Sequence, residues 1–353
     1  MNTVDEKYEN IAKLAQKYIA DCPVIVIGSG LSIPHNLPSM ADLADELINR
    51  IKIKDETWSQ FSAKLNATKD LEKTLHEVPL SEEVLNKVIE ETWKHTNERD
   101  LSLYNELIAD STNLPLTRLF KHLLRVANPH LSVITTNYDR LVEYAADIAE
   151  AHTFTGFSSG WIQRFLPEEA TTTPKIPHPH TQGQIDIWKV HGSLDWFLDP
   201  TGYPIAIPLA SRLPEKCKPL VVTPGVTKYR EVHKDPFRTI MSRADKVLQE
   251  ARCYLCVGYG FNDEHAQPIL VRRVHHDKIP IVVVTKALTQ AARHLLLENA
   301  CQKFIIFEET KDGTKVYHPD APTGDFLPDR SIWDFPKFLD MLLGPEEGFN
   351  ELV

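Results

Sequence analysis

Val24-Ile25-Val26-Ile27-Gly28-Ser29-Gly30-Leu31-Ser32 is the stretch on which the reading of this chain turns. Four consecutive β-branched residues make a strand buried on both faces, and a Gly-Ser-Gly turn ends it at once. A turn-like segment follows, Pro34-His35-Asn36-Leu37-Pro38-Ser39, and then helical spacing over 41–51 with Leu43, Leu47 and Ile48 on one face. Ser39 is the expected N-cap, with Asp42 at the third helical position. Strand, glycine turn and helix in that order mark an α/β sheet, whose ligand crevice lies beyond the carboxyl ends of its strands. Three more polar patches end apolar, β-branched runs in the same way. They are Thr135-Thr136-Asn137-Tyr138-Asp139, His191-Gly192-Ser193 and Gly258-Tyr259-Gly260-Phe261-Asn262-Asp263. The four patches are expected to converge on one site.

Working outward, a helix is expected over 5–20 and strands over 131–135, 185–190, 220–223, 253–257, 281–285 and 304–307. Helices over 140–150, 235–251, 264–274 and 290–299 alternate with them, which argues for a mostly parallel sheet with helices on both faces. Between 52 and 130 the text is Lys/Glu/Leu-rich with helical periodicity and reads as an inserted α-helical subdomain. The segment 153–186, rich in Thr, Pro, His and Gly, reads as a loop or hairpin region long enough to be functional or mobile. The expected division is therefore 1–51 as the first part of a Rossmann-like domain, 52–130 as the helical insertion, 131–310 as the remainder, and 311–353 as a C-terminal extension with a terminal helix at 333–343.

Composition narrows the class. The 353 residues exceed what one compact core normally holds, and 42% apolar with 25% charged residues is ordinary globular stock. A formal charge of −10 argues against direct nucleic-acid binding through the surface as a whole. Five scattered cysteines and no secretory leader point to a reducing cytosol. The apolar runs are strand-sized, so no membrane span is expected and the location is read as cytoplasmic.

Each patch has a functional and a bland reading. Gly28-Ser29-Gly30 suits a turn whose amides receive phosphate, or simply a tight structural turn. The third glycine of the dehydrogenase fingerprint is missing, since position 33 is Ile, and Asp45 and Glu46 fall inside a helix; both count against hydride transfer. The Asn137 amide can donate and accept, which suits ribose hydroxyls or a positioned water, whereas Asp139 equally suits a helix cap. His191 follows a strand and precedes small residues, where an imidazole can take a proton at neutral pH. Asn262 and Asp263 suit either a ribose contact or a helix cap. Cys253-x-x-Cys256 lies on the expected strand with its sulfurs on opposite faces, and no second pair exists, so a zinc site is not expected. His178-x-His180 and His275-His276 read as loop residues, and Trp161, Trp188 and Trp196 as packing or pocket walls.

Taken together the patches resemble the sirtuin superfamily, most closely its bacterial sirtuin-like branch. Gly28–Ser32 resembles the first-strand glycine turn, and Leu37-Pro38-Ser39 resembles that branch's Leu-Pro-Ser loop rather than a deacetylase's Pro-Asp-Phe-Arg loop. Thr135-Thr136-Asn137-Tyr138-Asp139 is similar to the Thr-Gln-Asn-x-Asp signature, which implies a catalytic role for Asn137 and a supporting one for Asp139. His191-Gly192 is similar to the His-Gly pair, implying that His191 is the catalytic histidine. Gly28, Ser29, Gly30, Ser32, Thr136, Gly258, Gly260, Asn262 and Asp263 are the implied NAD+ contacts. The interval 193–257 lacks the two Cys pairs of the deacetylase zinc ribbon, so no metal is expected.

Members of this kind resemble NAD+ hydrolases of bacterial anti-phage defence, which release ADP-ribose and nicotinamide in abortive infection. NAD+ is their substrate. The stand-alone type is often paired with a HerA-type ring ATPase, so the resemblance implies a homo-oligomer activated through assembly with such a partner. An NAD-dependent protein deacylase, an ADP-ribosyltransferase and a non-catalytic NAD- or ADP-ribose-sensing subunit are the alternatives.

Overall fold

The computed structural model describes residues 4–69, 71–110, 114–125, 130–167, 182–221, 234–263, 267–298 and 301–345. The Thr/Pro/His-rich text at 171–180, with His178 and His180, lies outside the described residues, as do Thr223, Pro224, Gly225, Glu264 and Asn299. The chain forms two compact units that interleave in sequence. Unit 1 comprises 1–31, 114–133 and 245–353; unit 2 comprises 32–113 and 134–244. The unit borders fall within elements: strand 130–135 and the helix over 237–250 each contribute to both units.

Unit 1 holds helix α1 (Val4–Ile19), strand β1 (Val24–Ile27), α7 (Pro115–Arg125) and the first residues of β2 (His130–Thr135). The second run brings β9 (Tyr254–Val257), α10 (Pro268–His275), β10 (Ile281–Thr285) and α11 (Gln290–Arg293), then β11 (Phe304–Thr310), β12 (Gly313–His318), β13 (Ala321–Pro328) and α12 (Phe335–Leu343). Its sheet order is β13-β12-β11-β10-β9-β1-β2. β1, β9, β10 and β11 run parallel, and their apolar residues are buried without alternation, as strands covered on both faces require. From between β1 and β9 the chain proceeds outward in both directions, to β2 on one side and to β10 and β11 on the other. That is the topological switch point of the sheet. α1 and α12 are joined by Gln16 donating to the Leu342 carbonyl (2.9 Å), and Arg118 of α7 reaches Asp340 at 2.7 Å.

The segment expected to be a C-terminal extension belongs to this sheet. β11, β12 and β13 form an antiparallel meander, with the chain reversing at Lys311-Asp312 so that Thr310 faces Gly313. The helix expected over 290–299 is α11 continued by a π turn at His294–Glu298.

Unit 2 opens on α2 (Ser29–Ser32), which begins at the end of unit 1, and α3 (Met40–Arg50). The latter starts as sequence predicts: the Ser39 side chain accepts from the Asp42 N–H while the Asp42 carboxylate accepts from the Ser39 N–H, a capping box. α4 (Glu56–Thr68), α5 (Leu71–Glu77) and the long α6 (Glu82–Asp110) follow. Leu43, Leu47, Trp58, Phe61, Leu65 and Val88 make the core of this helical part. After β2 come α8 (Leu141–Ile148), β3 (His152–Phe154), β4 (Gln163–Arg164), β5 (Gln184–Lys189), β6 (Gly192–Leu198), β7 (Pro204–Ala206), β8 (Lys218–Val221) and α9 (Phe237–Glu250). β3 pairs parallel with β5, and the strands β4-β7-β6-β8 form a separate antiparallel sheet.

Within 153–186, read as loop or hairpin, the described residues include β3 and β4, the latter paired with β7, and Phe157 bridges Phe165 antiparallel. One expectation is corrected here. The strand at 220–223 is not a member of the parallel sheet: β8 pairs antiparallel with β6, because no helix separates 198 from 218 to carry a parallel crossover. α6 lays Trp93 against this small sheet, in a cluster with Leu194, Phe197, Ile205 and Val221, and the indole N–H donates to the Leu194 carbonyl at 2.8 Å.

Candidate functional site

The switch point of unit 1 is lined by backbone. The Gly28 N–H donates to the Val257 carbonyl (3.1 Å) and the Gly30 N–H to the Gly258 carbonyl (3.1 Å), which lays the turn after β1 directly on the turn after β9. A β-carbon at Gly28 would stand 2.4 Å from the Gly258 oxygen, and one at Gly258 2.4 Å from the Leu31 nitrogen. Gly258 also has φ +58, a left-handed conformation natural to glycine. These glycines are therefore required by the approach of two loops. Their two engaged amides are not the ones left to meet a phosphate; Ser29 and Gly30, at the start of α2, are the exposed residues of this turn.

The rest of the β9 loop is fixed from within. The Phe261 side chain is fully buried and packs on Tyr259 at 4.9 Å between centroids. Gly260 accepts a hydrogen bond from the Thr289 hydroxyl in the loop after β10. This anchoring leaves Asn262 exposed and Asp263 buried at the loop's end.

In unit 2 the tips of β2 and β5 lie side by side: the Val190 N–H donates to the Thr135 carbonyl at 3.1 Å, and the Leu194 N–H to the Tyr138 carbonyl at 3.0 Å. The segment bearing Thr136, Asn137 and Asp139 and the turn bearing His191 are thus neighbours on adjoining strand ends. The Asn137 Nδ2 donates to the Ser32 Oγ at 2.9 Å, and its backbone N–H to the Thr135 hydroxyl at 3.1 Å. One N–H of the amide is given to Ser32, which fixes the orientation of the Asn137 amide and with it the direction of the Oδ1 acceptor. Ser32, expected to contact ligand, is only 3% exposed and bonds to Asn137 and to the Asp139 carboxyl. Its place is behind Asn137.

Asp139 combines two of the roles weighed for it. One carboxyl oxygen accepts the Leu141 N–H (3.1 Å) at the start of α8, and the side chain meets Ser32. Burial raises its pKa above the ordinary carboxylate value; Lys189 opposes that shift and Asp100 adds to it. His191 stands in the turn between β5 and β6, partly buried. Gly192 after it has φ +91, and a β-carbon there would lie 2.0 Å from the Leu220 oxygen, so the small residue beside His191 is demanded by β6 meeting β8.

A set of buried charges beneath these tips went unnoticed in the sequence. Arg140 bonds Asp100 and Asn97 of α6 and Asp195 of β6. Burial works against its charge, but Asp195 and Asp100 more than offset that, so its pKa is raised. Tyr144 donates to Asp100 at 2.5 Å, and its own pKa is raised by burial and by that carboxylate. Lys189, with no exposed surface, donates to the Asp139 carbonyl and pairs with Glu143 at 3.0 Å. One signal was available: a lysine ending a strand that also holds Ile185, Ile187 and Trp188 needs a partner if it is buried with them. Nothing local marks Asp100 or Asp195 as partners of Arg140.

Cys253 precedes β9 rather than lying on it; burial pushes its thiol up to about 12 and raises Cys256 as well. None of the five cysteines is joined in a disulfide, and no group of three or more His, Cys, Asp or Glu among the described residues could hold a metal ion. Among those residues no helix is long and apolar enough to cross a membrane. Trp188 and Trp196 are core residues, whereas Trp161 is 88% exposed.

Residues 131–301 match the SIR2-like domain family. The SIR2-like segment contains Asn137, Asp139, His191 and the 258–263 loop, and leaves Gly28–Ser32 outside it. No curated protein matches the chain. Among solved structures, one from a study of the mechanism and regulation of Sir2 enzymes is 15% identical, with a TM-score of 0.43 over 81% of this chain and 90% of that one. A Sir2 homologue–NAD complex is 15% identical, with a TM-score of 0.44 over 79% and 84%. A mutant Sir2 homologue–ADP-ribose complex is 16% identical, with a TM-score of 0.43 over 79% and 86%.

Proposed function

We propose that this chain is an NAD+ hydrolase, cleaving NAD+ to nicotinamide and ADP-ribose. The observation that carries the reading is the pairing of strand tips in unit 2: an asparagine whose amide nitrogen is tied back to Ser32 stands on the strand end next to the one bearing His191. The SIR2-like match over both supports the choice of NAD+ as substrate.

The chemistry follows from the groups present. The bond from the nicotinamide nitrogen to the ribose anomeric carbon breaks, its electron pair leaving with nicotinamide, and water forms the new carbon–oxygen bond. Asn137 offers Oδ1 to a ribose hydroxyl or to the incoming water, and His191 takes the proton released. Ser32 and Asp139 hold Asn137 in place. Ser29, with the glycine turn, serves the pyrophosphate; Thr136, Gly258, Gly260, Asn262 and Asp263 serve the remainder of the dinucleotide. Positioning and general-base help of this kind are worth on the order of 10²–10⁴ in rate for the proton transfer alone.

The biological setting is the finer part of the reading. Free NAD+ hydrolysis would empty a cell's pool, so such an enzyme needs restraint. The resemblance to stand-alone members paired with a HerA-type ATPase supports an anti-phage effector that is oligomeric, cytoplasmic and switched on by assembly. The test is direct. Purified chain is incubated with NAD+, alone and with a HerA-type ring ATPase, and products are separated by chromatography. Equimolar nicotinamide and free ADP-ribose are expected. Label from NAD+ found on protein would select transfer instead, and tight NAD+ binding without nicotinamide release would select a sensing subunit.

A further inference from the structure

One buried side chain joins the segment that carries Asn137 to the strand that follows His191, and both to the helical part of unit 2. Arg140 lies three residues beyond Asn137 and is 2% exposed. Its Nε donates to Asp195 (2.6 Å) on β6, four residues beyond His191. Its Nη1 and Nη2 donate to Asp100 (2.5 Å) and Asn97 (3.0 Å), neighbours on one face of α6. Asp100 has no exposed surface, and it also accepts the Arg140 backbone N–H at 2.7 Å. Asp195 in turn accepts the Leu209 N–H at 3.1 Å, and Asn97 donates to the Ala210 carbonyl at 2.9 Å, so the acceptors are held as firmly as the donor.

Stability alone gives little reason for this arrangement. A buried ion cluster is often matched or bettered by apolar residues of the same volume. What a guanidinium adds is direction: a planar fork with several donors fixes angles as well as distances, which hydrocarbon contact does not. A reaction that needs two groups aligned on one sugar is sensitive to such angles, since a misplacement of about 1 Å can cost on the order of 10²-fold in rate.

Resting on the NAD+ reading above, we propose that Arg140 is a positioning residue that sets the spacing of Asn137 and His191, and that α6 holds it in register through Asp100 and Asn97. The helical part of unit 2 is then a component of the catalytic geometry. Movement of α6 would reach both groups through one side chain.

The test uses the full chain. Arg140→Lys keeps the charge and loses the fork. With NAD+ at a temperature well below melting, kcat is expected to fall 10- to 100-fold while KM stays within threefold. In hydrogen exchange without ligand, amides in 134–141 and in 190–196 are expected to speed up together by fivefold or more, with those of 56–68 unchanged. A merely structural network would lower the melting temperature and leave kcat of the folded protein intact. Wild-type kcat in folded Arg140→Lys, or faster exchange in only one of the two segments, overturns the proposal. If wild-type chain with its partner releases no nicotinamide, the NAD+ reading fails, and the exchange measurement still decides the positioning role. Should Arg140→Lys not fold, the isosteric Asp100→Asn is read in the same way.

Discussion

The loops at the switch point of unit 1 and the strand tips of unit 2 are built on different principles. The first is backbone against backbone. Gly28, Gly30 and Gly258 let two turns touch, and the bonds between them are peptide to peptide. The second is rich in side chain against side chain: Ser32 on Asn137, Lys189 on Glu143, and Arg140 across to α6 and β6. A backbone contact forbids nearly every substitution but says nothing about chemistry. A side-chain network tolerates isosteres structurally while its function depends on each polar atom. The comparison teaches that the glycine motif is demanded by architecture, whereas the polar tips carry the groups on which the proposed chemistry rests.

That contrast can be broken most sharply at the tips. His191→Ala and Asn137→Ala are expected to lower NAD+ turnover by about 10²–10⁴-fold with little change in melting temperature, as general-base and positioning losses do. Nicotinamide release and a thermal melt on each variant check this together, and near-wild-type turnover in either would undo the assignment. The glycine side predicts the reverse pattern. Gly28→Ala forces a β-carbon against the Gly258 oxygen and should cost roughly 1–3 kcal/mol in denaturant unfolding, while Ser29→Ala should leave the fold intact. Equal stability of the two variants would remove the architectural reading.

A third prediction sharpens the electrostatic half. Burial raises the Asp139 pKa, so the folded state keeps a proton that the unfolded chain has already released. Stability is therefore lost as pH rises from the ordinary carboxylate range through the raised value, with a slope of at most about 1.4 kcal/mol per pH unit from this one group. Asp139→Asn should flatten the profile; melts from pH 4 to 8 showing the same slope in both proteins would count against it. The smallest effect is local. Ser39→Ala removes the cap of α3 and should cost about 1 kcal/mol without touching turnover, which urea titration with a parallel activity assay would check.

How much of this could be read from sequence depends on the range of the cause. The runs 24–27, 281–284 and 304–307 announce parallel strands because burial on both faces leaves no polar position. Ser39 and Asp42 announce a capping box because the partners are three residues apart. The antiparallel sheet of β4, β6, β7 and β8 was harder to foresee, since β6 starts two residues after β5 and alternation at 192–198 is masked by burial on both sides. The β11–β12 hairpin was signalled by Asp312-Gly313, a turn pair overlooked within an apparent tail. The nearness of the Asn137 segment to the His191 turn was legible by position after strands. The supports were not: Asp100 and Arg140 are separated by 40 residues, and only folding reveals that Ser32 faces Asn137 rather than solvent.

The meander closing unit 1 also bears on how copies of this chain can meet. β13 is an outer margin whose residues include Pro322 and Pro328 and are, Leu327 apart, half-buried or exposed, with Asp325 drawn to Lys7. Imino positions and charges on a margin discourage a further strand from adding there. Growth by lengthening this sheet is thereby blunted, and any ring or stack of protomers is steered toward side-chain surfaces elsewhere.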